Sequence, residues 1–220
     1  HIKIAIVGNP NSGKTSLYNH ITGQHEHVGN YDGTTVEAQT SLCHYKGYEL
    51  SVTDLPGANA LSGATSEERY VRKFLAEHNP DIVLNVVCAS NLERNLYITT
   101  ELIDMGYRVV VALSMYDELQ RNGATLDDDM LGKMIGVPMF PVVGHSGKGI
   151  EVLLDTIVAV HERRDERVRH IHIYQGVVEE SLMALNKDMK EHREELPQCF
   201  PPRYFAMKML EGDKEITEML

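Results

Sequence analysis

Residues 8–15 read GNPNSGKT, and the interpretation of the whole chain starts from this stretch. It follows a largely β-branched apolar run at residues 2–7 and precedes a run with helical spacing at residues 16–21. Strand, glycine-framed loop and helix is the context in which G-x-x-x-x-G-K-[ST] indicates a phosphate-binding loop, or P-loop. There, backbone N–H groups and the positive end of the helix dipole surround an anion. The stretch therefore predicts a nucleotide-phosphate site rather than a chance glycine loop.

Two side chains of the P-loop have specific predicted tasks. Lys14 has the length to reach the β- and γ-phosphates, and the Thr15 hydroxyl is placed to bind Mg²⁺. We expect the whole stretch to line the nucleotide, through Asn9, Pro10, Asn11, Ser12, Gly13, Lys14, Thr15 and Ser16.

Composition narrows the class of protein. The chain has 220 residues and a net charge of −11, which argues against a broad nucleic-acid surface because phosphate backbones require clustered Lys and Arg. Its three cysteines have no disulfide or metal-ligand spacing, and no apolar run reaches membrane-spanning length. Since it starts at His1 and stops at Leu220 within a helical pattern, we expect a piece of a longer protein.

The remaining patterns predict an α/β domain followed by a helical one. Strand-like runs at residues 37–45, 49–53, 82–89, 109–113 and 137–143 alternate, after an initial hairpin, with helical runs at 66–77, 91–105, 126–135 and 149–164. This rhythm predicts a mostly parallel sheet with helices on both faces and ligands at the carboxyl ends of the strands. Residues 1–165 would form this domain. Residues 166–220, with helices expected at 174–195 and 203–210, would form a small helical domain that is incomplete at its end.

A second group of residues predicts a switch that responds to the terminal phosphate. Asp54 follows a strand, where P-loop proteins place their second Mg²⁺ group, and Gly57 allows the backbone to approach a γ-phosphate. The polar loop at residues 24–35 would add Gly33, Thr34 and Thr35, with the Thr35 hydroxyl on Mg²⁺ only while the loop is closed. Order with triphosphate and release after hydrolysis is the behaviour of a Ras-like G domain.

The base-reading element is predicted at residues 113–117, LSMYD. The Asp117 carboxylate could accept hydrogen bonds from guanine N1 and N2, with Ser114 and Met115 beside it. The usual pattern is Asn-x-x-Asp, so Ser114 replaces an amide that also braces the P-loop, and we expect weaker nucleotide affinity. The alternative is that Asp117 is only a helix cap.

The chain resembles the cytosolic N-terminal portion of the FeoB ferrous-iron transport family. The residues that carry the resemblance are 8–15, 28–31 (VGNY) with 35–37 (TVE), 54–57 (DLPG), 91–97 (NLERNLY) and, in the tail, 202–213 (PRYFAMKMLEGD). Ser114 and Cys88 stand where the family usually has Asn and Asp. Residues 144–146 replace its usual Ser-Ala-type guanine loop, for which Val143, Gly144 and His145 are the matching positions.

The resemblance implies a GTPase that binds GTP/GDP and Mg²⁺ and is coupled to Fe²⁺ uptake. Its partner would be a transmembrane Fe²⁺ permease region of the parent chain, at the cytoplasmic face of the bacterial inner membrane. Small Feo accessory proteins and a second copy of the chain are further partners that the resemblance allows. A non-catalytic nucleotide sensor and an RNA- or ribosome-directed GTPase stay open as alternatives, the second disfavoured by the acidic charge.

Hydrolysis needs an explanation because Ala58 stands where Ras-like enzymes use a Gln to orient water. The resemblance implies that Asn11 helps to bind K⁺ beside the α- and γ-phosphates. We therefore expect slow, K⁺-stimulated turnover that depends on Asn11, Lys14, Thr35 and Gly57, about 10⁻⁴–10⁻² s⁻¹ without activation. The alternative is that Asn11 only stabilises its loop.

Several polar groups are interpreted as structural. His25 with His27, and His170 with His172, could ligate iron, but such spacing is more often solvated surface. Glu67 and Glu68 are assigned to the first turn of a helix whose N-cap would be Ser66, and residues 127–129 to another helix start.

Overall fold

The structure is a computed structural model that describes residues 1–23, 38–144, 146–169 and 176–220. Its strands are β1 (Ile2–Gly8), β2 (Gln39–Tyr45), β3 (Tyr48–Asp54), β4 (Ile82–Cys88), β5 (Val109–Ser114) and β6 (Met139–Pro141). Its helices are α1 (Lys14–Thr22), α2 (Ser66–His78), α3 (Leu92–Asp104), α4 (Tyr116–Arg121), α5 (Asp128–Ile135), α6 (Ile150–His161), α7 (Val177–Glu191), α8 (Pro202–Leu210) and α9 (Lys214–Thr217).

The strands form one sheet in the order β2-β3-β1-β4-β5-β6. β1 pairs in parallel with β3 and β4, and β4–β5 and β5–β6 are also parallel, whereas β2 and β3 form the predicted antiparallel hairpin. The prediction of a mostly parallel sheet is therefore confirmed. Parallel pairing brings the carboxyl ends of β1, β3, β4 and β5 to one edge of the sheet.

Each face of the sheet buries its own apolar cluster, because successive side chains of a strand point to opposite faces. One cluster joins alternate residues of β1 such as Ile4 and Ile6 to α1 and α6. The other joins the remaining residues, such as Ala5 and Val7, to α2 and α3. The buried residues of α7, α8 and α9, among them Phe205, belong to this second cluster, so the C-terminal helices pack on the α2–α3 side.

Several boundaries differ from the sequence prediction for local chemical reasons. β6 is confined to Met139–Pro141 rather than 137–143, and after it Val143 forms an isolated antiparallel bridge with Lys148 instead of extending the strand. The N-cap of α2 is Thr65, whose hydroxyl accepts the N–H of Glu68 at 3.2 Å, so the expected cap at Ser66 was wrong. α7 covers Val177–Glu191 of the predicted 174–195.

Two short helices, α4 and α9, were not predicted. They are too short to show a helical period, and α9 is recognisable chiefly by its cap, since the Asp213 carboxylate accepts the N–H of Ile216. The predicted helix start at residues 127–129 is confirmed, because Asp127 caps α5. None of the helices in the described ranges combines the length and apolarity needed to cross a membrane.

Candidate nucleotide-binding site

Three predicted site segments meet at the carboxyl edge of the sheet. Asp54 ends β3, the P-loop follows β1, and Ser114 ends β5. The strand register places Ile6 opposite Asp54, and Cys88 at the end of β4 opposite Ser114. The parallel sheet therefore assembles residues that lie up to a hundred positions apart in the sequence.

The P-loop has the backbone conformation that its glycines predict. Gly13 has a φ of 91° directly before α1, and Asn11 also has a positive φ of 62°. Gly8 lies so close to β4 that an added Cβ would stand 2.5 Å from the carbonyl oxygen of Val86. The loop thus contains backbone conformations and close approaches that disfavour residues with a Cβ, as expected of a loop that wraps around an anion.

The electrostatics at the start of α1 favour an anion. Lys14 is the first helical residue and is buried, and burial lowers its pKa while the Asp54 carboxylate opposes that shift. A buried ammonium is stabilised by any negative group that joins it. Phosphate oxygens at the helix N-terminus would supply that charge.

Thr15 and Asp54 are already in contact. The Thr15 hydroxyl donates to Asp54 Oδ2 at 2.9 Å, while Asp54 Oδ1 is buried and has no hydrogen-bond partner within the described residues. Burial raises the pKa of Asp54, against the effects of the Thr15 hydrogen bond and of Lys14. A hydroxyl and a carboxylate that meet in this way are the oxygen ligands that Mg²⁺ prefers.

The loop after β3 lies against the P-loop. A Cβ on Gly57 would stand 2.8 Å from Pro10 Cα, so only glycine allows this approach. The next N–H, of Ala58, donates to the carbonyl of Gly8 at 3.1 Å, and the Ala58 side chain is buried. Ala58 therefore faces the core and presents no group to a water molecule.

The base-reading segment is divided between two contacts. The Ser114 hydroxyl donates to the carbonyl of Ser12 at 2.6 Å, so serine braces the P-loop at the position where the usual pattern has an asparagine. Asp117 lies in the first turn of α4 and accepts a hydrogen bond from Arg121 at 2.9 Å, and the N-cap position belongs to Met115 instead. The cap interpretation of Asp117 was wrong, and Arg121 engages only one oxygen, Oδ2, of its carboxylate.

The last predicted loop approaches the site from the α6 side. A Cβ on Gly144 would stand 2.9 Å from Ser16 Oγ, and Val143 forms a bridge with Lys148. These contacts place Val143 and Gly144 beside the start of α1. The predicted positions Gly33, Thr34, Thr35 and His145 lie outside the described residues, as do His25, His27, His170 and His172.

The sequence reasoning missed a polar cleft of 290 Å³ beside the P-loop. Asn9, Asn11 and Ser12 line one side of it, and Asn59 and Arg94 line the other. The motif at residues 91–97 carried only the resemblance, although an arginine in the first turn of the helix that follows a central strand was the available signal. Glu68 lies in the first turn of α2 as predicted, and its carboxylate also accepts hydrogen bonds from Ser62 Oγ and from the N–H of Ala64 in the preceding loop.

Comparison with known proteins agrees with this geometry. The family model "Ferrous iron transport protein B" matches residues 2–157, and the model "FeoB cytosolic helical domain" matches residues 174–220. The chain belongs to the FeoB family. Among the described residues, no group of three or more His, Cys, Asp or Glu side chains could hold a metal ion together.

Curated FeoB relatives are much longer than this chain. An Fe(2+) transport protein A/Fe(2+) transporter FeoB fusion protein of Porphyromonas gingivalis is 46% identical over 221 residues, covering 100% of this chain and 26% of the relative. The Fe(2+) transporter FeoB of Escherichia coli K12 is 33% identical over 221 residues, covering 96% of this chain and 27% of the relative. The chain thus spans about a quarter of the length of these relatives.

Solved FeoB structures share the fold. The T. maritima FeoB cytosolic domain in its GMPPNP form has a TM-score of 0.87 at 33% identity, covering 99% of this chain and 83% of that one. An S. thermophilus NFeoB mutant bound to mGDP has a TM-score of 0.88 at 34% identity, covering 100% and 82%. Another mutant bound to GDP·AlF4⁻ has a TM-score of 0.84 at 34% identity, covering 99% and 82%.

Proposed function

We propose that the chain is the GTP-binding and GTP-hydrolysing switch domain of a ferrous-iron transporter. Slow, Mg²⁺-dependent and K⁺-stimulated hydrolysis would be coupled to Fe²⁺ uptake by the rest of the parent protein. The observation that carries the proposal is the arrangement of the P-loop, with the buried Lys14 ammonium and the Thr15–Asp54 contact at the N-terminus of one helix. The guanine nucleotides in the FeoB structures described above support the choice of ligand.

The residues of the site fit both Mg²⁺ and a nucleotide, and different side chains would hold each of them. Thr15 and Asp54 would hold Mg²⁺, which neutralises charge on the phosphates when it is bound. The unpartnered Oδ1 of Asp54 gives that carboxylate a free lone pair for a metal-bound water. Lys14 and the N–H groups of the P-loop would bind the phosphates, and the Asp117 carboxylate, which uses only Oδ2 for Arg121, would select guanine.

Hydrolysis would depend on backbone positioning and cations rather than on a water-orienting side chain. The burial of the Ala58 side chain removes that position from the site. Asn11, which lines the cleft beside the P-loop, would help to bind K⁺, and Gly57 would present its backbone to the γ-phosphate. Thr35 completes the proposed catalytic set from outside the described residues.

We further propose that residues 1–165 act as the G domain and residues 166–220 as a helical domain that transmits its state. The two family models end and begin on either side of this division. The remainder of the parent protein, at the cytoplasmic face of the inner membrane, would contain the Fe²⁺ permease to which this domain responds.

Calorimetry with Mg²⁺ tests the binding half of the proposal. We expect GDP to bind and ADP to bind at least about a hundredfold more weakly, since adenine cannot satisfy Asp117. Lys14→Ala should abolish measurable GDP binding, whereas the matched variant Lys133→Ala, in an exposed i,i+4 pair on α5, should leave binding unchanged. Equal affinities for GDP and ADP, or no heat with either, would contradict the proposal.

Phosphate release in K⁺ and Na⁺ buffers tests the catalytic half. We expect faster release in K⁺, and loss of that stimulation in Asn11→Ala. A non-catalytic nucleotide sensor is the second candidate, favoured by the buried position of Ala58. It predicts normal GDP binding with no phosphate release above buffer in either cation, so the same measurement separates the two functions.

A further inference from the structure

The polar cleft beside the P-loop contains an arginine with no carboxylate partner. Arg94 lies in the first turn of α3 and makes its one hydrogen bond within the described residues to Asn59, while no carboxylate there lies within ion-pair distance. Of the ten other arginines, five pair with carboxylates among the described residues, namely Arg72, Arg121, Arg164, Arg167 and Arg203. What distinguishes Arg94 from the rest is that it lines a cleft formed in part by the P-loop. In a chain of net charge −11, an arginine without a carboxylate partner beside a phosphate-binding loop calls for an explanation.

The partner of Arg94 connects three segments of the site. Arg94 Nη2 donates to Asn59 Oδ1 at 3.0 Å, and Asn9 Nδ2 donates to the same oxygen at 3.1 Å. Asn59 lies two residues after Gly57, in the loop whose approach to the P-loop was described above. One amide oxygen therefore ties α3, the P-loop and the loop after β3 together.

The P-loop side of this cleft is incompletely satisfied. Asn9 and Ser12 are buried, with exposed fractions of 4% and 2%, and Asn9 Oδ1 and Ser12 Oγ have no hydrogen-bond partner among the described residues. Buried polar atoms without partners are costly and mark places where a ligand or water completes the structure. The cleft is thus arranged for a polar group, with a positive charge at its outer wall.

We propose that Arg94 is a positioning residue for the terminal phosphate of bound GTP. Through Asn59 it holds the backbone after Gly57 against the P-loop, so that this backbone meets the γ-phosphate in the correct place. The proposal rests on the proposed function and extends it to a residue outside the P-loop and the Asp54–Gly57 motif. Because GDP has no γ-phosphate, Arg94 should matter for GTP and not for GDP.

The test measures GDP affinity, the affinity of a non-hydrolysable GTP analogue, and the kcat and KM of phosphate release in K⁺ buffer. In Arg94→Ala we expect GDP affinity within about twofold of wild type, and a loss of about 10- to 100-fold in analogue affinity and in kcat. Asn59→Ala should give the same pattern. The double variant should be no worse than either single one, because both break one connection.

Two further variants distinguish positioning from general stability. Arg94→Lys keeps a charged donor and should restore part of kcat. Arg108→Ala is the matched control, since within the described residues the Arg108 side chain makes a single hydrogen bond, to the carbonyl of His161 at 3.4 Å, and Arg108 precedes β5 at the opposite edge of the sheet. It should leave all four quantities unchanged.

The outcomes separate this proposal from the proposed function. GDP and the analogue weakened equally in Arg94→Ala, or kcat unchanged in it, would overturn the role of Arg94 and leave a GTPase. Wild-type protein that binds no guanine nucleotide would overturn the proposed function and this role with it.

Discussion

The loop between β3 and α2 is held in two different ways along its length. Its first half, residues 55–59, contacts the P-loop through neutral groups, with Ala58 N–H on the Gly8 carbonyl and Asn59 on Asn9. The charged Arg94 reaches this half only by an exposed hydrogen bond to Asn59. Its second half, residues 61–65, is held by charged side chains. The N–H of Leu61 donates to Glu101 Oε2 at 2.7 Å, and the Ser62 carbonyl accepts from Arg72 at 3.3 Å.

This difference indicates where the loop can move. A neutral hydrogen bond contributes about 1 kcal/mol, so a phosphate that offers a better partner can displace it. A hydrogen bond to a charged group contributes about 1.5–3 kcal/mol. We therefore expect the half nearest the P-loop to respond to nucleotide while the far half stays attached to α2, α3 and the C-terminal helices.

The largest effect on stability is expected from removing the side chain of Arg72, which holds the second half of the loop. Its side chain is 4% exposed and pairs with Asp213 at 2.6 Å and with Glu215, both in the C-terminal region. Arg72→Ala leaves a carboxylate without its partner, and we expect the free energy of unfolding to fall by about 3–5 kcal/mol in urea. Arg69→Ala is the control, because the exposed Arg69 donates to Gly63 and Ala64 carbonyls of the same loop, and should cost under about 1 kcal/mol. Equal costs would remove the distinction between the two halves.

Glu101 should make the charged half sensitive to pH. Burial raises its pKa from 4.5 to about 7, although the hydrogen bond from Leu61 opposes the shift. Because the folded pKa lies above the unfolded value, the contribution of Glu101 to stability is full below pH 4.5 and is lost as the pH rises through about 7. Glu101→Gln keeps an oxygen for Leu61 N–H without the charge. At pH 8 it should be roughly 2 kcal/mol more stable than wild type, and at pH 4.5 nearly equal.

Urea unfolding of both proteins across this pH range provides the measurement. Glu49→Gln supplies the control, since Glu49 is exposed on β3 and its pairs are with the histidines His1 and His44 at the surface. Its effect should be small at pH 8. A Glu101→Gln profile parallel to that of wild type would show that the carboxyl group does not titrate differently in the folded protein.

The first half of the loop can approach the P-loop only because Gly57 has no side chain, and Gly57→Ala tests this requirement. The added Cβ would stand 2.8 Å and 2.9 Å from Pro10 Cα and N, which are backbone atoms that cannot rotate away. We expect a loss of about 1–3 kcal/mol in unfolding free energy. We also expect the substitution to weaken the binding of a GTP analogue more than it weakens the binding of GDP. Gly47→Ala, in a hairpin turn with open space around it and a φ of 86°, reports the backbone cost alone and should leave nucleotide affinity unchanged. Unchanged analogue affinity in Gly57→Ala would contradict the assignment of this half to the γ-phosphate.

The two halves were unequally predictable from the sequence. Asp54, Gly57 and the P-loop belong to short motifs with a mechanism, and the alternation of strands and helices placed them at one edge of the sheet. The buried charges carry no local signal: Arg72 is an ordinary residue of an amphipathic helix, and Asp213 lies 141 positions away. Such a pair arises only when α9 packs against α2, which no periodicity in the sequence expresses.

The same reasoning explains the smaller errors. The N-cap shifted from Ser66 to Thr65 because either hydroxyl satisfies the rule and only the backbone decides. The role proposed for Arg94 was not predicted because it depends on Asn59, which also accepts a hydrogen bond from Asn9. These three residues belong to separate segments of the chain that only the folded sheet brings together. The bracing contact of Ser114 could not be predicted either, because it depends on the short distance from β5 to the P-loop, and the expected weaker nucleotide affinity stays a prediction.

Substitution of Ser114 is therefore expected to have the smallest effect of these variants, and it tests a single neutral hydrogen bond at the P-loop. Ser114 is buried, its hydroxyl donates to Ser12 O at 2.6 Å, and a Cβ added to Gly13 would stand 3.7 Å from the Ser114 Cβ. Ser114→Ala removes one neutral hydrogen bond. We expect a loss of about 1 kcal/mol in unfolding free energy, and GDP affinity about fivefold weaker, because the carbonyl that it restrained belongs to the nucleotide loop.

Ser114→Asn asks the converse question. Since the serine already makes the bracing contact, the longer amide should change GDP affinity by less than about tenfold in calorimetry, even though asparagine is the usual residue of the pattern. Thr156→Val, which removes a helix-internal hydroxyl contact on α6 far from the P-loop, controls for a general loss of stability. A Ser114→Ala protein that binds GDP as tightly as wild type would mean that the P-loop does not need this brace. The neutral hydrogen bond from Ser114 would then make no contribution to nucleotide binding that calorimetry detects.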